Sequence, residues 1–268
     1  MCEPLFRDTV YDLMSQQPPS RKPELIAHRG FASRYPENTR IALRAALEAG
    51  ARYVEFDVQL TADGVPVLLH DADLTRTAGV RADVLDLTLR KLVGLRVNEP
   101  DRFGDAFNEP IPVLDDVARL LHDWPNVTAF VEIKRASLRR FGIPVVLERV
   151  IKSLAPVIDR AVLLSFEFHA LPEARRLGAR AIGWVIDAWH DRIRGAAEKL
   201  APEYLFLDHR LLPPAPAPLW AGPWRWAVYE VVDPEHALAL AERGVDFIET
   251  MAIGPMLEDE RLRNTAAA

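Results

Sequence analysis

The sequence predicts an α/β protein folded as a closed (β/α)8 TIM barrel, with a β-hairpin and a small insertion after the second strand. Three observations carry that expectation. Eight apolar stretches of strand length alternate with helical patterns through most of the 268 residues, the alternation that sets parallel strands inside and helices outside. Polar and charged residues fall just past the ends of several of these strands, where a barrel opens its mouth. The first strand leads into His28-Arg29-Gly30, not into the glycine-rich turn that begins a doubly wound dinucleotide-binding sheet.

In chain order, Met1 to Gln17 reads as a short helix with Phe6, Val10 and Leu13 on one side, ended by Pro18-Pro19. Residues 1–22 are thus an N-terminal extension outside the main fold. The first strand runs from Pro23 to Ala27. Pro36-Glu37-Asn38-Thr39 leads into a helix over Ile41 to Ala49, capped by Asn38 or Thr39 and stopped by Gly50. From Arg52 to Asp71, Val54, Phe56 and Val58 alternate with Glu55, Asp57 and Gln59, so a strand places both acids on one face. Ala62-Asp63-Gly64 is a turn signal, and Val65 to Leu69 follows too closely for a parallel crossover. It must return as a hairpin strand that carries His70 back beside Glu55 and Asp57. Residues 72–113 show no sustained period apart from a helical turn around Asp86 to Leu95, and read as an insertion.

Helical patterns then cover Leu114 to Trp124, Ile143 to Leu154, Phe168 to Leu177, Asp191 to Leu200 and Pro234 to Arg243. Strands begin near Val127, Ala161, Arg180, Tyr204, Trp226 and Val245, and with those near Leu25 and Tyr53 they number eight. Leu212 to Pro218 holds four prolines, which exclude helix interior and central strand and suit an extended surface connection. One barrel domain therefore spans 23–257, and 258–268 is a polar tail expected to fray.

Composition narrows the function. The net charge of −6 comes with no long basic block, so nucleic acid is not an expected partner. The single Cys2 rules out an internal disulfide framework and a cysteine-based zinc site within one chain. No apolar run has the length of a transmembrane segment and the first thirty residues lack a signal-peptide core, so a cytoplasmic protein is expected. Oligomeric state is not legible.

The chemistry is positional. His28 and Arg29 end strand one, Glu55 and Asp57 end strand two, His70 returns on the hairpin, and Glu132 and Lys134 end the strand after the insertion. Barrel interiors are mostly branched and apolar, so inward acids need compensation. Three carboxylates with few nitrogens suit a hard divalent cation, Ca²⁺ or Mg²⁺. Arg29 and Lys134 beside it suit a phosphate group, and the two histidines suit acid and base roles near neutral pH. Glu37 and Asn38 read as loop and cap residues, and Arg135, Arg139 and Arg140 as a solvated basic loop.

Beyond these separate patterns, the sequence resembles the glycerophosphodiester phosphodiesterase family. The resemblance rests on His28-Arg29-Gly30, Pro36-Glu37-Asn38-Thr39, Glu55-Phe56-Asp57-Val58, Asp63-Gly64-Val65-Pro66-Val67, His70-Asp71, Leu74-Thr75-Arg76-Thr77, Ile111-Pro112-Val113-Leu114 and Glu132-Ile133-Lys134, in that order. It implies a barrel enzyme that hydrolyses small-molecule phosphodiesters to glycerol 3-phosphate and an alcohol. By that likeness Glu55, Asp57 and Glu132 hold the metal, Arg29 and Lys134 bind phosphate, and His28 and His70 are catalytic, with His28 protonating the leaving oxygen and His70 activating the nucleophile. Departures cluster late. Ala227-Val228-Tyr229 follows Trp226 where the family has Thr-Val-Asn, and Ile248-Glu249-Thr250-Met251 replaces an ending in Thr-Asp, which points to an unusual alcohol or a larger diester.

Three other functions compete. A lysophospholipase D or sphingomyelinase D-like lipid phosphodiesterase would need exposed apolar loop residues, for which Trp220, Trp224 and Phe141 are the candidates. A glycoside hydrolase would pair Glu132 with Glu55 or Asp57. A non-catalytic phosphate-binding barrel would keep the residues without turnover.

Overall fold

The computed structural model describes residues 21–263; the helix expected over Met1 to Gln17 lies outside them. Its strands are β1 (Glu24–Ala27), β2 (Tyr53–Leu60), β3 (Pro66–Leu68), β4 (Arg96–Val97), β5 (Glu109–Pro110), β6 (Thr128–Ile133), β7 (Ala161–Ser165), β8 (Ala181–Ile186), β9 (Tyr204–Asp208), β10 (Arg225–Tyr229) and β11 (Phe247–Thr250). Eight of them close a parallel barrel in the order β1, β11, β10, β9, β8, β7, β6, β2, and the β1–β2 pairing completes the ring. All eight expected strands are present. The strand β3 runs antiparallel to β2, with Val58 opposite Leu68, and forms the expected hairpin.

Two apolar layers hold the barrel. Outward-facing Val54, Phe56, Val58 and Leu60 join the helices in one continuous core, while Ile26, Phe130, Val162, Leu164, Val185, Phe206, Ala227 and Phe247 fill the interior. Inside, Phe130 meets Tyr204, Phe206 and Phe247 in edge-to-face contacts with centroids 5.0–5.9 Å apart, the geometry favoured by aromatic quadrupoles. The interior is therefore a packed floor beneath the mouth.

The helix expected after the first strand runs Arg40–Glu48, and its cap is Thr39, whose hydroxyl accepts from the Ala42 N–H at 3.2 Å. The insertion is more than a loop. It contains helical turns over 75–78, 84–86, 89–92 and 100–103, the small β4–β5 pair, and its own apolar cluster around Leu74, Val84, Leu92 and Val97.

Four local expectations need correction. Arg135, Arg139 and Arg140 lie in a helix over Arg135–Phe141, not in a loop. Only part of that group is free in solvent: Arg135 donates to the Phe166 carbonyl at 2.9 Å and Arg140 pairs with Asp86 at 3.2 Å. The proline-rich segment is not extended throughout, because the Ala217 N–H turns back to the Pro214 carbonyl at 3.1 Å. A helix over Ile253–Glu258 was not expected, and the chain after it is anchored by Leu262, which is fully buried. Trp220 and Trp224 are 8% and 6% exposed and Phe141 is half-buried, because Trp220 stacks on Trp189 at 3.9 Å and Trp224 packs edge-on against Trp226. Among the described residues, no helix is long and apolar enough to cross a membrane.

Candidate active site

The barrel strands build the site by their period of two. On β1 the inward Ile26 is followed by His28; on β2 Tyr53 is followed by Glu55 and Asp57; on β6 Phe130 is followed by Glu132 and then Lys134; on β11 Phe247 is followed by Glu249. Each of these strands contributes apolar floor first and polar mouth second. A cavity of about 420 Å³ opens above the floor and is lined by His28, Arg29, His70, Glu132, Lys134 and Glu249 on the arc from β11 through β1 and β2 to β6. The arc from β7 to β10 lines it with Leu164, Phe166, Val185, Phe206 and Tyr229, plus Glu230 at the rim.

The loop after β1 is held tightly. The His28 N–H donates to the Thr250 carbonyl at 2.9 Å across the seam of the barrel. Arg29 adopts φ +54°, which turns its backbone N–H to Glu55 Oε2 at 3.0 Å. A Cβ on Gly30, at φ +83°, would lie 2.6 Å from the Ala42 carbonyl carbon and 2.7 Å from the Leu43 nitrogen. Only glycine lets this loop rest on the helix over Arg40–Glu48.

The acids and bases meet as expected, and they meet one another. Glu55, Asp57 and Glu132 each place an oxygen within 4.8 Å of the others, since Asp57 and Glu132 are direct neighbours in the β2–β6 register. Arg29 Nε stands 3.1 Å from Asp57 Oδ2, and Lys134 Nζ stands 3.2 Å from Asp57 Oδ1 and 2.6 Å from Glu132 Oε1. Burial alone would raise Asp57, but Lys134 and Arg29 hold it well below the usual carboxylate range. Glu55 is pushed far up by burial and by the charges of Asp57, Glu249 and Glu132. Its Oε1 is buried without a hydrogen-bond partner. Three converging carboxylates, one with an orphaned oxygen, match the donor set of a hard divalent cation.

The histidines differ in setting. His28 is 7% exposed, and burial, with the charge of Arg29 beside it, lowers its pKa to about 3, so the ring is neutral. The ring of His70 is one-third exposed, and its Nδ1 lies 2.8 Å from Asp71 Oδ1.

Several residues that sequence reasoning passed over belong to the site. Asn38 is not the helix cap. At φ +56° its amide donates to Asp57 Oδ2 at 2.8 Å and its oxygen accepts from the Asp57 N–H at 3.0 Å. Glu37, 3% exposed, accepts from Arg29 at 3.1 Å and from Arg76 of the insertion at 2.6 and 3.0 Å. Arg76 also donates to Asp71 Oδ2 at 2.7 Å, so one guanidinium braces both the His70 partner and the Arg29 partner. Gln59 holds the His70 carbonyl at 3.1 Å. Glu249, 4% exposed, stands 3.8 Å from His28 Nε2 and is pushed up to about 8 by burial and the nearby Glu132 and Asp57. The motif Pro-Glu-Asn-Thr carried a signal for Glu37 and Asn38, and the departure at 248–251 marked Glu249 as unusual.

Comparison with known proteins agrees with this geometry. Residues 28–187 match the model of the glycerophosphoryl diester phosphodiesterase family. A glycerophosphodiester phosphodiesterase of Caldanaerobacter subterraneus subsp. tengcongensis is 33% identical over 189 residues, which cover 67% of this chain and 75% of that protein. Glycerophosphodiester phosphodiesterase 1 of Bos taurus is 34% identical over 157 residues, 58% of this chain but 45% of the longer bovine protein. A phosphodiesterase of Oleispira antarctica, solved with the product sn-glycerol-3-phosphate, superposes with a TM-score of 0.76 at 23% identity over 88% of this chain and 96% of its own, a likeness of fold. The chain belongs to the glycerophosphoryl diester phosphodiesterase family and is an enzyme of that class.

Proposed function

We propose that this site hydrolyses glycerophosphodiesters to glycerol 3-phosphate and an alcohol, with a divalent cation, Ca²⁺ or Mg²⁺, held by Glu55, Asp57 and Glu132. The observation that carries the proposal is the convergence of those three carboxylates within 4.8 Å, with Glu55 Oε1 left unpartnered. A cation bound there would supply Lewis-acid stabilisation of charge developing on the phosphate. Arg29 and Lys134 engage the acids with part of their donor sets, which leaves N–H groups to clamp phosphate oxygens.

His28 and His70 divide the proton transfers. Burial keeps His28 neutral, whereas Asp71 orients the His70 ring through Nδ1 and leaves its Nε2 free to act. A neutral His28 suits the base role, which leaves His70 as acid, the reverse of the assignment offered from the sequence. The alcohol side is the apolar arc with Tyr229, which suits a head group with an apolar face. The lipid-acting alternative loses two of its three proposed membrane contacts, because Trp220 and Trp224 are buried. A glycoside hydrolase would leave Arg29, Lys134 and both histidines without a role.

The test is hydrolysis of a panel of glycerophosphodiesters with Ca²⁺ or Mg²⁺ and with a chelator, beside His28→Ala and His70→Ala. Activity should vanish with chelator and return with metal, and each histidine variant should lose about 10²–10⁴ in kcat. Turnover that survives metal removal would overturn the reading.

A further inference from the structure

Beside the three-carboxylate group lies a second set of converging donors, which shares Glu55 with it and adds Glu249, a residue to which the proposed hydrolysis gives no role. His28, Glu55 and Glu249 each place a ligand-capable atom within 4.8 Å of the others, and all three are buried. His28 Nε2 lies 3.9 Å from Glu55 Oε2 and 3.8 Å from Glu249 Oε1, too far for hydrogen bonds and spaced around a common point. His28 Nδ1 and Glu55 Oε1 are buried polar atoms with no hydrogen-bond partner. Burying two carboxylates against each other without a compensating charge is costly, and no cationic side chain forms an ion pair with Glu249 among the described residues.

We infer that His28, Glu55 and Glu249 form a second cation site, joined to the first through Glu55, that takes a borderline cation of the Zn²⁺ class. Donor chemistry separates the two sites. Glu55, Asp57 and Glu132 offer oxygen alone, which suits Mg²⁺ or Ca²⁺, whereas the second set adds an imidazole nitrogen, a borderline donor that Zn²⁺ accepts together with carboxylate oxygen. The consequence for activity, though not the site itself, rests on the function proposed above. A cation on His28 occupies the ring nitrogen that would exchange a proton, so Zn²⁺ should inhibit the Mg²⁺-supported reaction.

The test is the number of metal ions retained after dialysis of Mg²⁺-loaded protein against Zn²⁺, measured by elemental analysis, with circular dichroism to confirm folding. Wild type should retain one Zn²⁺ in addition to Mg²⁺. Glu249→Gln should weaken Zn²⁺ by more than about tenfold, since even outer-shell partners of a metal are worth ten- to a hundredfold, and should keep Mg²⁺. Asp57→Asn should weaken Mg²⁺ and keep Zn²⁺. If Zn²⁺ only replaces Mg²⁺ one for one, or if Glu249→Gln binds Zn²⁺ as tightly as wild type, the second site is refuted. Hydrolysis by the Mg²⁺ form without Zn²⁺, measured in parallel, judges the proposed function separately, because retention of Zn²⁺ does not depend on turnover.

Discussion

The two arcs of the barrel mouth are built by the same alternation of strand residues and end in opposite chemistry. From β11 through β1 and β2 to β6, the layer above the aromatic floor is acidic and basic, cross-linked by ion pairs at 2.6–3.2 Å. From β7 to β9 the mouth is lined instead by Leu164, Phe166, Val185 and Phe206. The contrast separates tasks: one arc carries charge and must be rigid, and the other shapes the space for whatever departs with the alcohol.

The comparison predicts unequal sensitivity. The largest effect belongs to Asp57→Asn, which removes the carboxylate shared by Arg29, Lys134 and Asn38. Loss of kcat on the order of 10³ is expected, the scale on which single electrostatic groups act in buried sites, and steady-state kinetics would show it. Equal loss from a substitution in the apolar arc would erase the distinction between the arcs.

Next is a pH effect on stability from crowded carboxyls. The folded pKa of Glu249 is about 8, above its ordinary value of 4.5. Between those two values the folded chain holds a proton that the unfolded chain has released, so stability is full below pH 4.5 and falls as pH rises towards 8. In chelator, wild type should lose a few kcal/mol relative to Glu249→Gln over that window, measured by urea unfolding at pH 5 and pH 8. Parallel stability curves would show that the acidic arc stores no such cost.

A smaller effect should follow from Arg76→Ala. The substitution removes the guanidinium that Asp71 and Glu37 share, and we expect about a tenfold fall in kcat with cation affinity unchanged, the range for loss of an outer-shell partner. Arg76→Lys should recover stability but not rate, since an ammonium cannot span both carboxylates as a guanidinium does. The smallest effect belongs to the apolar arc. Phe166→Leu should raise KM for diesters with bulky alcohols by a few-fold and leave kcat nearly unchanged, as a lost apolar contact is worth about 1–3 kcal/mol at most.

The same contrast explains what was legible in the sequence. Glu55 and Asp57 lie on one continuous strand, and His70 returns within a hairpin, so local period and turn chemistry suffice to bring them together. The eight strands were legible for the same reason. Glu249 was not, because its neighbour His28 lies at the other end of the chain and meets it only through the β1–β11 pairing. Asn38 was misplaced as a cap because Thr39 beside it is equally suited to that role, and only the left-handed turn at Asn38 aims its amide at Asp57. The insertion lacked a period because its helices are four residues or shorter, and its apolar cluster is assembled from separate turns. The burial of Trp220 was not legible, because stacking among Trp189, Trp220 and Trp226 is a tertiary contact that no local pattern announces.

The seam of the barrel has a consequence for folding. β1 joins β11 along four residue pairs and β2 along two, and His28 is anchored to Thr250 across that junction. Loop closure between distant segments is slow relative to helix and hairpin formation. During refolding the hairpin, the insertion and the outer helices can form while the two chain ends are still apart. The expected outcome is that refolding restores secondary structure before turnover, so that circular dichroism recovers ahead of activity and the lag times the meeting of the first strand with the last.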